Sequence, residues 1–173
     1  MNYKYLKDLE RNLEIQAHSY LLQKEDVLFK SQTRTELNQV CLVNRLKPNI
    51  GQIKKFYLSD MNFYAKILEV CIDHIVVQES NFNYLIKINQ IFGVNTLDLI
   101  NSKLTKFEEK WNFKSNLREL MIEKKSVNIR TVNQKHFTGK LSNFFSDHID
   151  LSTNSEILTL QIDAIQWVKY RSE

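Results

Sequence analysis

Apolar and polar residues alternate in short runs over most of residues 51–94, and again over 126–168, with the period of two expected of half-buried strands. In the first stretch the runs fall at 51–58, 63–70, 74–78, 82–88 and 91–94, divided by polar turns at Ser59-Asp60-Met61-Asn62 and Glu79-Ser80-Asn81. The second gives 126–132, 136–145, 148–152, 156–162 and 165–168, with turns at Asn133-Gln134-Lys135 and Thr153-Asn154-Ser155. Five strands this short, joined by tight turns, must curl on themselves to bury one face. Each stretch therefore predicts a small barrel.

Elsewhere the spacing turns to three and four. Leu6, Leu9, Leu13, Ala17, Tyr20 and Leu21 form one stripe, which predicts an N-terminal helical arm. Thr33-x-x-Glu36 is a capping box ahead of Leu37, Val40 and Cys41, and Pro48 limits that helix. Thr96 is expected to cap a stripe of Leu97, Ile100, Leu104, Phe107 and Trp111. Ser115 or Asn116 starts a shorter one with Leu117, Leu120 and Met121. The expected class is α+β, mainly β. Residues 1–32 form the arm, 33–95 a first barrel with its leading helix, 96–114 a connecting helix, and 115–173 a second barrel with its own leading helix.

Sliding the chain by 74 residues strengthens the division. It brings Leu46, Phe63, Lys66, Asp73, His74, Ile75, Ile88, Ile91 and Val94 onto Leu120, Phe137, Lys140, Asp147, His148, Ile149, Ile162, Ile165 and Val168. Most of these identities are apolar and fall at comparable points of each unit, which predicts an internal duplication.

Composition removes several functions. Three glycines (Gly51, Gly93 and Gly139) lie too far apart for GxGxxG or GxxxxGK[ST], so no glycine loop cradles a nucleotide. The turns are expected to draw on some of the chain's 17 Asn, which tolerate left-handed backbone, and on Ser. The formal charge is +4, and by segment it is +1 over 1–46, +1 over 47–95, +2 over 96–125 and 0 over 126–173. So thin a spread is unlike the concentrated basic footprint of a strong duplex binder. Cys41 and Cys71 form no CxxC pair and fit a reducing compartment. With no apolar signal core at the start, a soluble cytoplasmic protein is expected.

The run Ile67, Val70, Asp73, Ile75, Val77, and its counterpart Leu141, Phe144, Asp147, Ile149, Leu151, resembles the central pattern of the Sm-like branch of SH3-like barrels. With its N-terminal arm, a helix ending near Asn44-Arg45-Leu46, and GKLSNFFSDHIDL at 139–151, the whole chain is similar to an uncharacterised actinobacterial two-barrel family. Members are sometimes labelled Fis-type transcriptional regulators, but no helix-turn-helix with a basic recognition helix is present here. The resemblance implies tandem Sm-like barrels. It does not carry over the RNA pocket. RNA-binding Sm proteins place Gly six residues before the Asp, Asn shortly after it, and an Arg-Gly pair in a later loop. Here Gly139 precedes Asp147 by eight, Ala65 stands at the first-barrel position, and the later loops read Lys87-Ile-Asn-Gln90 and Gln161-Ile-Asp-Ala164.

Two constellations remain as candidates. Asp73-His74 and Asp147-His148 could be carboxylate-oriented imidazoles, yet adjacent strand residues face opposite sides. An Asp capping a tight turn beside a half-exposed His is the expected arrangement, its role unassigned. His18 and His136 have no partner at metal spacing, and no nucleophile motif or carboxylate pair is present. A non-enzymatic protein without metal or cofactor is expected. Lys54-Lys55 interleaves with Phe56-Tyr57, and Lys124-Lys125 is expected at the matching point of the second unit. Lys54, Lys55, Tyr57, Lys124 and Lys125 are thus the candidate nucleic-acid-binding residues, for stacking plus phosphate neutralisation holds single strands. A barrel strand also alternates core aromatic with solvated Lys for structural reasons alone. The expected partners are RNA or single-stranded nucleic acid, with self-association through the N-terminal helix or the barrel edges and no membrane. The alternative is a protein-interaction or assembly module.

Overall fold

The computed structural model describes Tyr20, Leu21, Lys24, residues 40–98, Ile100 and residues 102–172. The capping box at Thr33 and all but the last two residues of the N-terminal stripe lie outside the described residues. Residues 41–173 form one compact unit.

Ten strands, β1 (Ile53–Tyr57), β2 (Asn62–Val70), β3 (His74–Glu79), β4 (Phe82–Lys87), β5 (Gly93–Val94), β6 (Ser126–Thr131), β7 (His136–Phe144), β8 (His148–Ser152), β9 (Ile157–Gln161) and β10 (Ile165–Arg171), dominate an α+β, mainly β fold. Among the described residues from 40 on, three α-helices accompany them: α1 (Leu42–Leu46), α2 (Lys106–Lys110) and α3 (Phe113–Ile122). All strands belong to one antiparallel sheet of order β5-β1-β2-β3-β4-β10-β6-β7-β8-β9. Each run of five keeps its own order, fifth-first-second-third-fourth, and the two runs join where β4 pairs with β10.

The pairing registers of the runs correspond in detail. A bulge falls between Ile67 and Glu69 of β2, and another between Leu141 and Asn143 of β7, 74 residues on. The first strands depart by one residue. Phe56 pairs with Phe63, and it is Ile129 that pairs with Phe137.

Alternation builds the cores. Phe63, Ala65 and Ile67 of β2 point inward, while Asn62, Tyr64, Lys66 and Leu68 point out. Around them gather Leu46, Phe56, Ile75, Val77, Ile86 and Trp167. A second cluster holds Ile129, Leu141, Ile149, Leu151, Ile165 and Val168. Phe113, Leu117 and Leu120 of α3 join it, and so do Val76 and Leu85 from the first run. The buried stretch His74–Val77 of β3 thus has one face on each cluster. Between the runs, Arg130 of β6 bonds Asp60 at 3.1 Å with both side chains largely enclosed, and Gln166 donates to the Ser59 hydroxyl at 2.7 Å.

Two local expectations are corrected. Thr96 does not start a helix: its φ is +41°, and the described residues up to Leu104 are non-helical. Tertiary bonds claim that backbone instead, because Arg45 donates to the carbonyls of Leu97 and Asp98 and the Ser102 amide donates to Asn44. The helix begins later, at a capping box of Thr105 with Glu108. The left-handed non-glycine positions among the described residues are Ser80, Thr96, Lys124 and Gln134, so Ser fills that role at one turn and Asn at none. Asn112 acts instead as an N-cap, accepting from the Ser115 amide at 3.0 Å.

Candidate nucleic-acid interface

The β1–β2 hairpin brings together more than its linear sequence suggests. Ile53, Lys55 and Tyr57 of β1 stand opposite Lys66, Tyr64 and Asn62 of β2, all on the outer face. Lys55 Nζ lies 5.1 Å from the centre of the Tyr57 ring and 5.7 Å from that of Tyr64, so one ammonium bridges two rings. Tyr64 is 62% exposed and Tyr57 37%. Gly93 of β5 lies beneath Tyr57, where a Cβ would sit 3.5 Å from the ring in ordinary contact. Asp60 is the one carboxylate between residues 51 and 68, and Arg130 already holds it. The outer face of the hairpin is therefore basic and aromatic without local acidic opposition.

The candidate lysines divide. Lys55 and Tyr57 lie on this face, while Lys54 turns its ammonium to the Thr96 carbonyl at 2.8 Å. Lys124 and Lys125 lie in the turn between α3 and β6, Lys124 with φ +54° and Lys125 2.9 Å from Glu123. The expected match of Lys124-Lys125 to Lys54-Lys55 is corrected: the pairing puts Asn128 opposite Thr138 as Lys55 stands opposite Tyr64, so Val127-Asn128 holds that register and the lysine pair precedes the strand. Tyr64 and Lys66 escaped sequence reading because their role depends on the cross-strand neighbour. The period-two pairing of 53–57 with 62–66 was the available signal.

The two Asp–His turns do converge, against the alternation rule, because each Asp sits in the bend just before its strand. Nδ1 of His74 lies 2.7 Å from Asp73 Oδ1, and His148 stands at the same distance from Asp147. Their surroundings differ. His74 is fully buried rather than half-exposed, and its Nε2 accepts from the Asn116 amide of α3 at 2.6 Å. Asp73 also accepts from the Phe113 amide at 3.0 and 3.1 Å, closing the start of α3. Burial alone would raise the Asp73 carboxyl, but the bonds from His74 and Phe113 hold it below its ordinary value. His148 stacks instead on Phe145, with ring centres 4.4 Å apart.

Beside His74, donor atoms of Glu69, Cys71 and His74 lie within 4.8 Å of one another. Both imidazole nitrogens are engaged by Asp73 and Asn116, and the Cys71 thiol donates to Glu69 at 3.1 Å. Burial, with Glu69 beside it, holds that thiol far above its usual range. The imidazole and the thiol of this cluster are thus taken up by hydrogen bonds within the protein. Among the described residues no helix is long and apolar enough to cross a membrane.

Searches against known protein families and against curated proteins found no match for this chain.

Proposed function

We propose that this chain is a non-enzymatic Sm-like protein, with β1–β5 and β6–β10 as tandem small barrels, that binds single-stranded RNA on the outer face of the β1–β2 hairpin. What supports the duplication is the shared strand order and the bulge recurring after 74 residues. The observation that carries the RNA reading is the Lys55 ammonium set between the exposed rings of Tyr57 and Tyr64, with Lys66 on the same face. Bases stack on such rings whatever their sequence, and the ammonium groups neutralise the linking phosphates. Base-specific readout is not part of the proposal, since the Sm pocket residues do not carry over.

Fluorescence anisotropy with a labelled, mixed-sequence single-stranded RNA at low salt tests it. Tyr64→Ala and Tyr57→Ala are each expected to weaken binding about 5- to 150-fold, the equivalent of ~1–3 kcal/mol for a stacked base. Lys124→Ala should leave binding nearly unchanged. Undetectable binding by the native chain, or equal losses at Lys124 and Tyr64, would contradict the assignment.

The alternative, an assembly module without a nucleic-acid ligand, draws on a different observation: β4 already accepts β10 along a full edge. It predicts a self-associated chain that ignores RNA.

A further inference from the structure

The sheet order leaves two strands at its ends, β5 and β9. They are not equivalent. β5 is two residues long, and Thr96 at φ +41° turns the chain away just beyond it. In β1–β5 the Asn95 amide bonds the Lys55 carbonyl, so by antiparallel alternation Val94 alone directs its N–H and C=O to the open side.

β9 offers a longer edge. The Thr153 amide bonds the Glu156 carbonyl and the Ile162 amide bonds the Asp147 carbonyl, which fixes the phase of the β8–β9 ladder. Residues 156, 158, 160 and 162 then turn their backbone groups to β8. Ile157, Thr159 and Gln161 direct theirs to the side on which no described strand pairs. Natural edges are blunted by lysine, proline or a bulge, and Ile157–Gln161, reading ILTLQ, has none of these.

The joint inside the chain shows what such an edge accepts. β4 stands in the first run where β9 stands in the second, and by the same counting Asn81, Asn83 and Leu85 face β10. The Ser172 amide bonds the Asn81 carbonyl there. Asn83 and Leu85 correspond to Ile157 and Thr159 at the 74-residue offset.

We propose that β9 pairs antiparallel with β9 of a second copy across a two-fold axis at Thr159, continuing the sheet. Ile157 then exchanges hydrogen bonds with the second copy's Gln161, and Thr159 with its own counterpart. That gives three mutually bonded residue pairs, as many as β4 and β10 share. On the core side Leu158, half-buried, meets the second copy's Leu160, so the apolar layer runs on through the axis. The strand carries no charge, so no like-charged side chains face each other across it. Two-fold pairing is preferred to a β9–β5 chain because β5 offers one outward residue against three. The contact is isologous and closes at two copies.

Sedimentation equilibrium of the full chain over a concentration series is expected to give twice the 20.6 kDa monomer mass. Thr159→Pro removes an outward-facing amide without touching the β8–β9 ladder, and should return the chain to monomer. Should that variant fail to fold, Thr159→Cys in a Cys41→Ser background decides. Residue 159 faces itself across the axis, so mild oxidation should give a cross-linked dimer, whereas Ile157→Cys, facing Gln161, should cross-link far less. A native chain that stays monomeric throughout, or a dimer that Thr159→Cys does not trap, overturns the proposal.

Discussion

Nε2 of His74 lies 2.6 Å from Nδ2 of Asn116, a buried bond across 42 residues that ties the start of β3 to the first turn of α3. With Asp73 holding Nδ1, both imidazole nitrogens are satisfied inside the protein, where a lost partner costs the desolvation of whatever remains. His148 has the same local partner but sits half-exposed against Phe145. His74→Ala is therefore expected to destabilise by about 2–4 kcal/mol, and His148→Ala by no more than ~1 kcal/mol. Urea midpoints at constant slope measure both. Equal losses at the two sites would remove the distinction drawn between the turns.

Acid should act on the same network. The Asp73 carboxyl is held below its ordinary value of 3.8, so the unfolded chain takes up that proton first. Its contribution to stability is complete above 3.8 and is lost as pH falls from there through the folded value. Asp73→Asn should lower stability at neutral pH and flatten the acid limb of a urea-midpoint profile taken down to about pH 2. An Asp73→Asn variant whose acid limb is as steep as the native one would locate the acid-sensitive group elsewhere.

Gly139 lies where the backbone of Ser152 leaves no room for a side chain, since a Cβ there would run into the Ser152 carbonyl. Gly93 meets only the Tyr57 ring at ordinary contact distance. Gly139→Ala should cost about 1–3 kcal/mol by forced overpacking, and Gly93→Ala much less. Thermal midpoints separate the two variants. A Gly139→Ala protein as stable as the native one would mean that the strands yield there.

The thiols offer a labelling test. Cys41 is exposed, while Cys71 is buried, bonded to Glu69 and held strongly protonated. A thiol-reactive dye at neutral pH should modify one cysteine in the folded chain and two in denaturant, the thiolate being the reacting species. Rapid modification of both in the folded chain would contradict the burial of Cys71.

The strands were legible because their burial follows local alternation: Asn62–Val70 switches face at each residue up to Leu68, as its sequence reads. Legibility failed where distant residues decide. Nothing near Thr96 announces that Arg45 will claim the carbonyls of Leu97 and Asp98, so the stripe predicts a helix in a segment whose described residues are non-helical up to Leu104. His74 reads as half-exposed until Asn116 arrives from α3 to bury it. The ungapped 74-residue offset holds for β2–β5 but slips by one residue at β1, a shift that only pairing reveals. Within the interface, Lys55 and Tyr57 were visible as a basic–aromatic strand. Their partners Tyr64 and Lys66 belong to the next one.

The salt dependence of single-stranded RNA affinity tests the central claim most directly. If Lys55 and Lys66 each neutralise a phosphate, the logarithm of the binding constant should fall with the logarithm of salt at a slope of about −1.4. Lys55→Ala and Lys66→Ala should each reduce that slope by roughly 0.7. Binding that is absent at low salt, or whose slope is unchanged in both variants, would contradict the assignment of the β1–β2 face to RNA.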